Sequence, residues 1–176
     1  MRKRRFFWAL AGFLFTGALG SLLHFTYEWS GGLLTAAFSA VNESTWEHMK
    51  LLFVPLFLFS VVQICVMGKN YPNFLAVRAV STLAGLVLIP VLFYTYTGVL
   101  GFHVMWADIA VFFLADLGTF ALDHHLLGRE RFSEPWQQLM GLLVLWALAF
   151  LFVWCTFRPP HLALWQDPVT GIYGAA

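Results

Sequence analysis

The run Val41-Asn42-Glu43-Ser44-Thr45-Trp46-Glu47-His48-Met49-Lys50 places two carboxylates, an amide, an imidazole and an ammonium directly before a long apolar segment, Leu51 to Met67. Polar groups beside bilayer-length apolar segments are costly to bury, so a cluster of them at a helix entrance points to function. Glu43 and Glu47 have the chemistry of a catalytic general base, and His48 that of an acid–base group or metal ligand. Asn42 and Trp46 flank them as candidate substrate contacts. A structural reading stands beside this one. Ser44-Thr45-Trp46-Glu47 fits the S-x-x-E capping box, in which Ser44 caps a helix and Glu47 bonds back to the cap. Glu47 and Lys50 have the i,i+3 spacing of a local ion pair, and Trp46 suits an interfacial belt. Capping accounts for Ser44 and Glu47 but not for Asn42, Glu43 and His48 together.

His24 and Glu28 lie four residues apart, on one face of a helix that extends so far. Histidines and carboxylates converging at helix ends are ordinary ligands for zinc and similar divalent ions. A divalent metal is one cofactor this set could take, with His24 and Glu28 as candidate ligands, but the same groups can equally serve as general acid and base, and no HExxH-type motif occurs. His161 and Asp167, in the C-terminal segment, are further candidate substrate contacts. Asp116 stands apart. With Asp108, Thr119 and Asp123 it falls within an arc of about 80° at the helical step of 100°. It lies near the middle of an apolar segment, so it must face protein, paired or protonated. Either it is a structural group or it marks a proton or ion path, and in the second case it belongs to the substrate-binding set. Arg78 is a candidate partner for Asp123.

Composition dictates what holds these groups. The 176 residues are 60% hydrophobic and 11% charged, with nineteen Phe and eight Trp. A water-soluble domain of this size cannot hide so much apolar surface, whereas a bilayer accepts it as solvent. A spanning helix needs about 20 apolar residues, and five segments meet that need, at roughly 6–27, 45–67, 74–97, 104–127 and 136–157. Pro55 and Pro90 fall inside two of them and do not divide the count, since membrane helices tolerate proline. Ser30 to Val41 is apolar but too short to span, and reads as a re-entrant turn, an interfacial helix or a buried loop. The expected fold is all-α, a single transmembrane bundle over residues 1–176. Met1 to Arg5 with the apolar run after it resembles a signal peptide, but is read here as the first membrane helix. Cys65 and Cys155 lie in apolar runs without a CxxC partner and suggest buried, inert thiols.

Basic residues orient the bundle. Arg2, Lys3, Arg4, Arg5, Lys69, Arg78, Arg129 and Arg131 fall on one side of a five-helix chain, and only Lys50 and Arg158 on the other. The positive-inside rule then puts the N-terminus in the cytoplasm and the C-terminus outside, and a four- or six-helix count spoils the segregation. His24, Glu28, Glu43, Glu47, His48, His161 and Asp167 all come to the outer face. The tail, 158–176, alternates turn formers with Leu162, Leu164, Trp165, Ile172 and Tyr173, and is expected to fold over the outer mouth.

The signature Asn42-Glu43-Ser44-x-Trp46-Glu47-His48-x-Lys50, with His24 upstream and Pro160-His161 and Asp167-Pro168-x-Thr170-Gly171 downstream, resembles a family of small bacterial integral membrane proteins of unknown function. The resemblance covers nearly the whole chain and implies a multi-pass protein of the bacterial cytoplasmic membrane. It brings no activity and assigns no ligand.

The residues support three functions. The leading one is a hydrolase or transferase with an outward polar pocket, acting on a lipid-linked or amphipathic substrate. The second is a binder or transporter of a small cation or amine, with Asp116 coupling a proton and homo-oligomers making up for the low helix count. The third is a non-catalytic accessory subunit. Membrane lipids are the expected surroundings. Nucleic acid is not an expected partner, because topology alone explains the basic residues.

Overall fold

The computed structural model describes residues 2–175, and among them it is all-helical. Five helices are long and apolar enough to cross a membrane: α1 (Arg2–Ser30), α3 (Thr45–Met67), α4 (Phe74–Leu100), α5 (Met105–Leu126) and α6 (Pro135–Phe157). They overlap the five apolar segments of the sequence closely. The short stretch before Val41 contains a sixth helix, α2 (Leu33–Phe38), of six residues. Helix α1 runs to Ser30, so His24 and Glu28 are both helical and one turn apart.

Local chemistry sets the helix ends. Ser44 caps α3, its Oγ accepting the Glu47 N–H at 3.3 Å. Helix α4 stops at Gly101, whose φ of 78° is left-handed and closes the last turn through its N–H to the Thr97 carbonyl at 2.7 Å. Pro135 opens α6, with Gln137 Oε1 accepting the Glu134 N–H at 3.1 Å in a capping box.

Helices α3 and α4 form the buried centre, and α1, α5 and α6 pack around them. The outer helices turn large apolar side chains away from the protein, among them Phe7, Leu14, Trp146 and Phe150. Such a surface suits hydrocarbon as its solvent. Inside the bundle, Pro55 has no N–H to give to the Leu51 carbonyl one turn back. Helix α1 passes close to that carbonyl at Gly20, where a Cβ would lie 2.8 Å from the Leu51 oxygen. The small residue thus lets α1 settle deeply against α3.

The end of the bundle that carries α2 also receives the C-terminal segment. The Trp165 ring lies 4.8 Å from that of Trp46, which in turn lies 4.6 Å from Phe152. The Ala175 N–H reaches the Thr156 carbonyl at 2.9 Å, and an isolated antiparallel bridge joins Gln166 to Tyr173. The residues that precede α3 are therefore held from both sides by packed chain.

Candidate metal site

His24 from α1, Glu43 from the turn before α3 and His48 from the first turns of α3 meet at this end. Glu43 Oε2 lies 3.6 Å from His24 Nε2 and 3.6 Å from His48 Nε2. The two imidazole rings are 5.3 Å apart between centroids. One ligand atom from each residue falls within 4.8 Å of both others. Donor atoms around a tetrahedral zinc with bonds of about 2.0–2.1 Å stand roughly 3.3 Å apart, so the cluster needs only a small inward movement to close on an ion.

His48 is oriented for this. Its Nδ1 lies 3.0 Å from the Ser44 carbonyl oxygen, which only accepts. The Nδ1 position therefore carries the proton, and the Nε2 lone pair is directed at Glu43 and the gap beside it. Fixing one ring nitrogen by a backbone carbonyl is how proteins prepare the other as a ligand. Ser44 thus serves twice, capping α3 with its side chain and orienting His48 with its carbonyl.

Glu43 is about half exposed, with a side-chain exposure of 49%, so one side of the cluster opens outward. Its bond to His24 holds its carboxyl below the usual carboxylate range, outweighing partial burial, which works the other way. The sign follows directly. On the Glu43 side, the stability from this contact is present above the ordinary carboxylate pKa and is lost as pH falls through the lowered value, and the pair also needs His24 protonated.

The C-terminal segment supports Glu43 from behind. Burial alone would raise the Asp167 carboxyl, but N–H donors overcome it and leave it lowered. Two of these are Val169 N, at 2.7 Å, and Thr170 N, at 3.2 Å, and the Glu43 backbone N–H adds a third. Asn42 gives its Nδ2 to the Gly174 carbonyl at 3.2 Å and takes the Ser44 N–H on Oδ1 at 3.0 Å. Trp46 is buried between Phe152 and Trp165. His161 is exposed and stacks on Tyr173 at 4.7 Å. Glu28 is exposed one helical turn beyond His24 and lies outside the three-residue cluster.

Glu47 points into the protein instead. Its Oε2 sits 2.5 Å from Lys50 Nζ and accepts the Val41 N–H at 3.2 Å, while its Oε1 accepts from Thr156 Oγ1 at 3.4 Å. Lys50 Nζ also donates to the Ala36 carbonyl at 2.9 Å and to Thr156 Oγ1 at 2.8 Å. Both charged side chains are buried, and together they tie α2, α3 and α6 to the loop that carries Glu43. The capping box is therefore one-sided, because the Glu47 carboxylate serves Lys50 and Val41 while Asn42 takes the Ser44 N–H.

Asp116 lies in the middle of α5, fully buried, beside Gly17 of α1. Among the described residues neither of its oxygens has a hydrogen-bond partner. It is not part of the three-residue cluster. Arg78 is fully buried toward the opposite end of the bundle and donates from Nη2 to Gln63 Oε1 and to Asp123 Oδ2, the latter at 3.3 Å. Its guanidinium lies over the rings of Phe74 and Phe120, at 5.4 and 5.3 Å.

Sequence reasoning overlooked two participants. Thr156 ends an apolar helix and gave no signal of its own, since a lone threonine there reads as neutral filling. Tyr96 donates to Asp108, which also faces His103 Nδ1 at 3.1 Å, and this polar group at the α4–α5 turn draws on residues 12 positions apart.

Among known protein families, the family of unknown function DUF6512 matches residues 2–175. The chain belongs to that family. No curated protein and no solved structure matches it. DUF6512 supplies no activity, so what its member does must be argued from the side chains themselves.

Proposed function

We propose that this DUF6512 protein is a multi-pass membrane enzyme that holds a divalent cation, zinc by its donor set, on His24, Glu43 and His48. The observation that carries this is the meeting of three donor atoms from α1, the pre-α3 turn and α3, with Glu43 Oε2 at 3.6 Å from each imidazole. Two histidines, one carboxylate and an open side match the ligand set of catalytic zinc, whereas structural zinc is closed by four protein ligands. An ion so held would lower the pKa of a bound water to about 7 and supply hydroxide at neutral pH. The reaction we infer is hydrolysis, or transfer, at an ester or phosphoester of a lipid-linked or amphipathic substrate. Water's oxygen would bond to the electrophilic carbon or phosphorus, the bond from that atom to the leaving oxygen would break, and the proton lost by the water would pass to the leaving oxygen. We assign that transfer to Glu28, exposed beside His24. The side chains around His24 support an amphipathic substrate. Phe25 packs on His24 at 5.0 Å and stacks on Trp29 at 6.0 Å, both exposed where the helix would leave the hydrocarbon. Glu47 and Lys50 we read as the brace that sets the position of Glu43 and His48. Charge segregation supports an outward-facing site, and the membrane we propose, on the resemblance alone, is the cytoplasmic membrane of a bacterium.

The test is a zinc titration of purified, chelator-stripped protein. One ion per chain is expected, with affinity falling at least roughly tenfold in His24→Ala and again in His48→Ala. Affinity should also fall as the solution is acidified, because an imidazole must be neutral to bind a metal, while Glu43, whose carboxyl is held low, stays ionised further down. Stoichiometric binding that survives the double variant would remove the site.

Asp116 favours a second reading, cation-coupled transport, because its two buried oxygens lack partners. In that case Asp116→Asn should fold normally yet abolish a pH-dependent flux in proteoliposomes. Unchanged flux would leave the zinc site as the functional centre.

A further inference from the structure

The end of the bundle opposite the zinc site carries a cleft of about 450 Å³, lined by Arg5, Asn70, Tyr71, Arg129, Glu130 and Ser133 among others. We propose that this cleft binds the headgroup phosphate of an anionic phospholipid. It lies where α1 begins, α5 ends and α6 begins, which is headgroup depth for helices that span a bilayer.

Two neighbouring arginines behave differently here. Arg4 gives Nη2 to the Val66 carbonyl at 3.0 Å and so serves a helix end. Arg5 lays its guanidinium across Gly128 so closely that a Cβ there would collide with it. Its Nε is buried and has no hydrogen-bond partner among the described residues. A guanidinium turned into a cleft with donors to spare is suited to phosphate, which it grips with two parallel N–H bonds.

The wall facing Arg5 is built rather than loose. Asn73, itself buried, donates Nδ2 to the carbonyls of Leu126, Arg129 and Arg131 at 3.2, 2.9 and 3.0 Å. Gln138 donates Nε2 to the Phe132 carbonyl at 2.5 Å and accepts the N–H groups of Leu75 and Ala76. These bonds hold Phe132 at a φ of 64°, a conformation that side-chain-bearing residues seldom adopt. Exposed Phe132, next in the chain to the lining residue Ser133, offers apolar surface for an acyl chain below the phosphate. The charge at this end favours an anion, since Arg2, Lys3, Arg4, Arg5, Lys69, Arg129 and Arg131 stand against Glu130 and Glu134, with Asp123 already paired to Arg78. Topology explains that basic residues gather on one side, but not why Arg5 turns inward or why Asn73 and Gln138 fasten the opposite wall. Basic pockets between membrane helices at this level are a recognised form of anionic headgroup site.

The experiment titrates the full chain in neutral detergent with short-chain phosphatidylglycerol, short-chain phosphatidylcholine and inorganic phosphate, reading thermal stability. Phosphatidylglycerol should stabilise at concentrations where phosphatidylcholine does not. Arg5→Gln and Arg129→Gln should each raise the concentration needed by about fivefold, and Glu130→Gln should lower it. Arg129 is exposed on the loop, so its variant gives an answer even if Arg5→Gln folds poorly. Equal responses to the two lipids, or an Arg129→Gln response matching the unsubstituted protein, would overturn the proposal. Inorganic phosphate protecting as well as phosphatidylglycerol would overturn the lipid as occupant.

Discussion

Lys50→Met should destabilise the protein by about 3–5 kcal/mol, because it strands the buried carboxylate of Glu47 without its counter-ion. The ammonium is wholly buried and sits 2.5 Å from Glu47, with bonds to the Ala36 carbonyl and to Thr156. Methionine fills the stem volume but takes the ammonium donor from all three acceptors, leaving Glu47 only its bonds from Val41 and Thr156. The cost is therefore that of an uncompensated buried charge, well above that of an ordinary surface pair. Pairing it with Glu47→Leu should recover much of the loss, since an apolar pair of similar volume often matches a buried ion pair in stability. Chemical denaturation in micelles reads both variants. Zinc affinity at the proposed site should fall alongside, because the pair anchors α2 and the Val41 backbone next to Glu43. A Lys50→Met protein of unchanged stability would mean that the ammonium's environment has been misassigned.

Arg78→Met should cost a similar amount, about 3–5 kcal/mol, by leaving Asp123 charged and buried. It also empties Gln63 Oε1 and removes the guanidinium from between Phe74 and Phe120. Arg78→Lys should recover only part of the loss, since an ammonium keeps the charge but not the planar guanidinium that lies over both rings. The contrast with Lys50 is in zinc binding. Thr45 at the start of α3 meets Tyr94 near the end of α4, so Arg78 at the start of α4 lies at the far end from His48. Folded Arg78→Met protein should bind zinc as well as the unsubstituted chain. Lower zinc affinity at full stability would show the two ends to be coupled and would contradict a purely structural role.

The five spanning helices were legible because lipid imposes one demand, about 20 apolar residues per crossing, and the sequence meets it five times. The small helix α2 was less so. A six-residue helix leaves no distinct period, and Leu33–Phe38 suits several short apolar structures equally well. The depth shared by His24, Glu43 and His48 could be read from the ends of the apolar segments. The direction of each side chain could not. Glu43 and Glu47 are four residues apart and chemically alike, yet one opens outward and the other is enclosed with Lys50. The difference comes from tertiary partners, Thr156 on α6 and Ala36 on α2, which no local pattern announces. Arg78 and Asp123 were legible as a pair, since each is too costly in the bundle alone and both fall at one depth. Gln63, which completes their network, was hidden in an apolar run.

The most direct measurement is X-ray absorption at the zinc edge of the protein loaded with one equivalent of zinc. The account predicts two imidazole nitrogens at about 2.0–2.1 Å together with oxygen ligands, and loss of one imidazole contribution in His48→Ala. A shell containing sulfur from Cys65 or Cys155, or one of oxygen alone, would contradict it.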